Sequence, residues 1–169
     1  MQIGYVSLPG RGATDACLAQ AVALLAARRV PMAGTVQTNP RRAGRHVCDM
    51  DVRVLPDGPV LRISQDLGAG ARGCRLDGGA LELAVAAVAR RLDGASLLVV
   101  NKFGKQEATG RGLVPVIAEA VGRGLPVLVG VNGLNLPAFL DFAADLAQAL
   151  PADPKAIARW ALEATLADA

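Results

Sequence analysis

The chain has 169 residues, 52% of them hydrophobic and 20% charged, a balance that supports a substantial core and excludes a disordered polymer. Its net charge is +3 and only 3% of its residues are aromatic. Scattered basic groups with few rings to stack bases argue against dedicated nucleic-acid binding. No apolar run reaches the roughly 18 residues of a membrane span, and the N-terminus does not read as a signal peptide. Cys17, Cys48 and Cys74 show no CxxC spacing, so a cytoplasmic chain with neither membrane insertion nor a zinc site is expected.

In chain order, residues 2–8 read as a short first strand that runs into the glycine turn Pro9-Gly10-Arg11-Gly12. Residues 14–29 carry apolar positions at helical spacing, with Thr14 as expected N-cap and Asp15 in the first turn. A second strand is expected over 32–38. After an Arg-, Gly- and Pro-rich loop, residues 46–55 alternate like a half-exposed strand. Asp57-Gly58 then turns the chain into a hairpin partner near 59–64. Residues 66–76 read as a glycine-rich loop and 77–92 as a helix. The apolar run 96–101 has the pattern of a strand buried on both faces. KFGKQEATGRG reads as a polar loop, 113–123 as a helix with Pro115 in its first turn, and 126–131 as another buried strand. Helices over 135–150 and 153–167 complete the chain. Strands alternating with helices imply a mostly parallel sheet with helices on both faces and the antiparallel hairpin at one edge, all in one domain over 1–169. Ligands of such sheets bind beyond the carboxyl ends of the strands, here the loops after residues 8, 38, 101 and 131.

Four groups of residues carry candidate chemistry. A strand, a glycine turn and a helix gather backbone N–H groups around one point, a geometry suited to phosphate. Against the GxxxxGK[ST] pattern, Gly12 and Thr14 match, while Ser7 replaces the first glycine and Ala13 the lysine; an ordinary tight turn explains the segment as well. Asp15 would repel phosphate if it pointed inward, and Arg11 would offset it. The second group, Asn101, Lys102, Gly104, Lys105 and Glu107, follows a buried strand where a nucleotide-hydrolysing protein holds magnesium and activates water. Asn101 has no charge and protonated Lys102 is no base, so a solvated basic loop is the alternative. Third, alternation places His46, Cys48 and Met50 on one face of a strand, a set that can ligate a soft metal or simply pack. Fourth, Arg41, Arg42, Arg45, Lys102, Lys105 and Arg111 would surround a polyanion if the loops converge.

The run Asn101-Lys102-Phe103-Gly104-Lys105-Gln106-Glu107 with Gly110-Arg111-Gly112, together with Pro9-Gly10-Arg11-Gly12, Cys48–Leu55 and Gly70–Asp77, resembles the bacterial domain-of-unknown-function family numbered 2478 over nearly the whole chain. That family in turn is similar to small P-loop nucleoside triphosphatases of the thermophile type. The resemblance implies a degenerate P-loop domain, with Ala13 at the phosphate-loop lysine, Thr14 at the magnesium-binding hydroxyl and Asn101-Lys102 at the acidic pair. It also implies a link to molybdenum transport and leaves Cys48 and Cys74 without a role. The expected ligand is a nucleotide, with or without magnesium, or a molybdate-like oxoanion, held by Gly10, Arg11, Gly12, Ala13, Thr14, Asn101, Lys102, Gly104, Lys105 and Arg111. Losing both lysine and carboxylate argues against fast hydrolysis. Two alternatives stand beside it. One is a slow triphosphatase or phosphotransferase using Lys102 or Lys105 with Asp15 or Glu107. The other is an adaptor that meets a protein partner through Leu134–Phe142.

Overall fold

The computed structural model describes residues 2–41, 49–68 and 75–167. Seven strands form one sheet: β1 (Ile3–Val6), β2 (Met32–Thr38), β3 (Asp51–Leu55), β4 (Val60–Arg62), β5 (Leu97–Phe103), β6 (Val127–Val131) and β7 (Ala147–Ala149). Their order is β4-β3-β2-β5-β6-β1-β7. The pairs β2–β5, β5–β6, β6–β1 and β1–β7 are parallel, and β2–β3 and β3–β4 are antiparallel. The hairpin therefore closes one edge, as its Asp57-Gly58 turn predicts.

Among the described residues six α-helices flank the sheet: α1 (Ala13–Ala27), α2 (Gly78–Ala89), α3 (Lys105–Ala108), α4 (Val114–Gly122), α5 (Leu136–Ala143) and α6 (Pro154–Ala167). Alternation along the strands feeds two cores. Leu97 and Val99 of β5 and Leu128 of β6 join Leu18, Val22 and Leu25 of α1 and Ile157 of α6. Leu98, Val100, Val127, Val129 and Val131 face the other way, onto α2, α4 and Phe139 of α5. Because β5 is covered on both sides, Leu97 through Val100 are fully buried, which is why this segment reads as an unbroken apolar run. Each such side chain contributes about 1.5–3 kcal/mol of hydrophobic stabilisation.

Three expectations are corrected. The helix expected over 135–150 stops at Ala143; Ala144 takes a left-handed-side φ of 47°, a 3-10 turn follows, and Ala147–Ala149 pair with Ile3–Tyr5. Local propensity favours helix there, but the open edge of β1 recruits the segment. Trp160 Nε1 donates to Gln148 Oε1 at 2.8 Å and fixes it. The polar loop after residue 101 is instead the end of β5 followed by the single turn α3. Phe103 anchors it against Phe139 and Phe142, with ring centroids 5.4 and 5.5 Å apart. The N-cap of α1 is Gly12, two residues ahead of the expected Thr14. Of the strand expected over 46–55, Asp51–Leu55 is observed and His46, Val47 and Cys48 lie outside the described residues, as do Arg42, Arg45 and Cys74.

Candidate functional site

The parallel strands β1, β2, β5 and β6 end on one sheet edge, and the glycine turn after β1 lies there. Gly10 and Gly12 have φ of 94° and 76°, conformations that a residue with a Cβ rarely adopts. Leu8 N donates to Thr14 Oγ1 at 3.1 Å, drawing the turn closed over the start of α1. No side chain caps that helix, so its first-turn N–H groups remain available to an acceptor. Arg11 is exposed at the apex.

Behind the turn, four residues form a closed hydrogen-bonded ring. Asp15 points inward and accepts from Asn101 Nδ2 and Asn39 Nδ2, each at 2.8 Å. Asn39 Oδ1 accepts from Gln37 Nε2 at 2.8 Å, and Asn101 Oδ1 accepts from the backbone N–H of Gln37 at 2.9 Å. Asn101 is 2% exposed. The ladder between β5 and β6 is irregular between Val100 and Phe103, and such breaks re-aim side chains. The partner of Asn101 on α1 is Asp15. The Asn39 amide nitrogen lies 3.7 Å from where a Cβ on Gly12 would sit, so the ring abuts the glycine turn directly.

The segment after β5 is organised by Glu107, 6% exposed. One carboxylate oxygen accepts from Gly104 N at 2.9 Å and the other from Leu113 N at 3.1 Å. A Cβ on Gly112, whose φ is 59°, would overlap Glu107 Oε1. Glu107 therefore ties both ends of α3 together, with each of its oxygens engaged by one backbone N–H. Lys102 and Lys105 stand exposed on this braced segment.

Between the braced segment and the hairpin opens a cleft of about 420 Å³. Met50, Val52, Ile63, Leu76, Leu81 and Leu113 supply its apolar walls, and Thr35, Gln37 and Asn101 its polar floor. Arg11, Arg75, Lys102 and Lys105 border it, and Asn132 and Asn135 close the β6 side. Asn132 Oδ1 accepts both the N–H and the side-chain amide of Asn135, at 3.0 and 2.9 Å. The hairpin wall is held by Arg62, whose Nε and Nη2 donate to Asp51 at 2.9 and 3.2 Å and whose Nη1 lies 3.4 Å from Asp49. The Asp51 hydrogen bond foremost raises the Arg62 pKa above its usual value.

Of the residues expected at the site, Gly10, Arg11, Gly12, Ala13 and Thr14 cluster at the turn, and Asn101, Lys102, Gly104 and Lys105 line the adjoining cleft. Arg111 is exposed and outside the cleft lining, and Arg41 is likewise exposed and outside it. His46 and Cys48 lie outside the described residues. Gln37 and Asn39 are not among the residues expected to hold the ligand; their place at the carboxyl end of a central parallel strand is the signal that finds them. Among the described residues no group of three or more His, Cys, Asp or Glu side chains is placed to hold a metal ion. Within the ring each Asp15 oxygen accepts one amide donor and the oxygen of Asn101 accepts the Gln37 N–H.

The strand order, the glycine turn opening α1 and the hairpin edge define a P-loop nucleoside triphosphatase fold. Two solved structures share it at low identity: THEP1 from the hyperthermophile Aquifex aeolicus (TM-score 0.63, 12% identity, covering 92% of this chain and 91% of that one) and a human cancer-related nucleoside triphosphatase (TM-score 0.59, 19% identity, covering 88% and 86%). The chain belongs to the family described as "Protein of unknown function (DUF2478)", whose model matches residues 3–160. It is also 36% identical over 128 residues to the molybdenum import ATP-binding protein ModC 2 of Bradyrhizobium diazoefficiens. That match covers 75% of this chain but only 14% of the relative's length. Among the described residues no helix is long and apolar enough to cross a membrane.

Proposed function

We propose that the chain binds a nucleotide or a similar phosphate-like anion at the glycine turn and turns it over slowly or not at all. The observation that carries this reading is the uncapped start of α1 behind Gly10 and Gly12, bordered by cations without carboxylate partners. Arg11, Lys102 and Lys105 form no ion pair among the described residues. First-turn N–H groups and the helix dipole favour an anion there, and Arg11, which belongs to the turn and also borders the adjoining cleft, supplies charge that Ala13 does not.

Slow turnover follows from the ring. Phosphoryl transfer needs a cation bridging the phosphates and a group that orients the nucleophile. Asn101 carries no charge, Asp15 is engaged by two amides, and Glu107 is engaged by two backbone N–H groups. The binding role is consistent with the ATP-binding relative, whose name places it in molybdenum import; a role for this chain beside molybdenum uptake or metabolism is part of the proposal, as is action within one domain in the cytoplasm. A slow triphosphatase using Lys102 or Lys105 is the competing reading, favoured by their place on the braced segment.

Thermal melting against ATP, GTP, molybdate, tungstate, sulfate and phosphate, each with and without magnesium, tests the reading. A ligand at about 100 times its dissociation constant stabilises the fold by about 2.7 kcal/mol. The expected result is stabilisation by a nucleotide or oxoanion that needs no magnesium and is lost in Gly12→Asp. Magnesium-dependent turnover abolished by Lys105→Ala establishes the enzyme instead. No stabilisation by any ligand overturns both and leaves a protein partner, for which the 92% exposed Leu134 is the nearest apolar contact point.

A further inference from the structure

The geometry points to a second ligand subsite: the cleft between the hairpin and the Glu107-braced segment takes a small organic anion with a flat apolar body, separately from whatever the glycine turn holds. The cleft touches the turn only through Arg11; Gly10, Gly12 and Thr14 do not line it. The Asp15 ring stands between the two, with Asn101 and Gln37 forming its cleft side.

The shape and chemistry are those of a site for an amphipathic molecule. A bare inorganic anion gains nothing from the facing side chains of Met50, Ile63, Leu81 and Leu113, whereas a volume of about 420 Å³ is in the range of small-molecule pockets. The floor adds a directed polar contact. Gln37 is 5% exposed; its Nε2 is donated to Asn39, and its Oε1 accepts no hydrogen bond among the described residues. That oxygen is an acceptor for an N–H or O–H on the ring. Lys102 and Lys105, which also line the cleft and are exposed and without ion pairs among the described residues, supply the charge for the anionic group. A ligand with an apolar body, a hydrogen-bond donor and an anionic group meets all three kinds of lining side chain.

Isothermal titration with 1-naphthyl phosphate and with inorganic phosphate tests the subsite. Burying one face of the naphthyl ring, about 60 Å² of apolar surface, predicts binding about tenfold tighter than phosphate. Leu81→Trp and Met50→Trp, both at half-buried positions, fill the cleft and are expected to erase that preference, each checked for an unchanged far-ultraviolet spectrum. Two variants are used so that a folding failure of one leaves the other decisive. Gly12→Asp is expected to leave the naphthyl preference intact, which separates this subsite from the glycine turn. Equal affinities for the two probes overturn the proposal. So does a preference that survives the cleft-filling variants, or one that disappears in Leu134→Ser, which would place the ring on the exposed surface.

Discussion

Asp15 and Glu107 are two carboxylates at the same sheet edge, and they are held in opposite ways. Glu107 is buried and receives two backbone N–H groups from the ends of its own segment. Asp15 is half-buried and receives two side-chain amides, each of which can rotate away. A carboxylate bound by backbone is part of the fold, since moving it means moving the chain. A carboxylate bound by Asn39 and Asn101 can exchange partners within the native structure. The difference separates the part of the edge that shapes the site from the part that can answer a ligand.

The largest effect expected from breaking this contrast is at Gly112. Gly112→Ala places a Cβ against Glu107 Oε1 at a positive φ, expelling the carboxylate and straining the backbone together. A loss of about 4 kcal/mol in urea unfolding is expected. Glu107→Ala removes the acceptor but adds no clash, leaving the N–H groups of Gly104 and Leu113 unsatisfied; about 3 kcal/mol is expected. The double variant should lose far less than the sum, because both act on one contact. Additive losses would show that Gly112 and Glu107 do not share it. The smallest stability change belongs to Asp15→Asn, about 1–2 kcal/mol, because one of its two acceptor oxygens becomes a donor that faces an amide donor of the ring. Its signature is in binding: removing a negative charge from behind the turn should tighten phosphate or nucleotide about tenfold at low salt, with the gain shrinking as salt rises. If affinity falls instead, Asp15 contacts the ligand favourably and the division between the two carboxylates fails.

Much of the architecture was legible in the sequence because burial on both faces leaves a plain mark: 96–101 and 126–131 are unbroken apolar runs at the centre of the sheet, and Asp57-Gly58 marks the hairpin. The end of the 135–150 segment was not legible, since Ala147–Ala149 have helical propensity and become a strand only because β1 has a free edge. The glycine turn and the Asn101–Lys105 segment were legible as site candidates from their place after strands. The inward direction of Asp15 was not, because in the first turn of a helix a side chain can face ligand, solvent or sheet, and only the amides of Asn39 and Asn101 decide it. Glu107 reads in sequence as a candidate base for the same reason; that its oxygens meet Gly104 and Leu113 depends on the turn at Gly112.

The double covering of β5 also sets an order of opening. Leu97–Val100 lie between two cores that must both loosen before their amides meet water, while β4 and β7 are three-residue strands at the two margins. Amide hydrogen exchange should therefore be slowest at β5 and quicken toward either margin, the hairpin side and the β7 side yielding independently. Protection added by a ligand at the carboxyl edge would then appear first in the turn before α1 and in the segment after β5, where local opening is cheapest, and the slowest amides of β5 would register only the change in global stability.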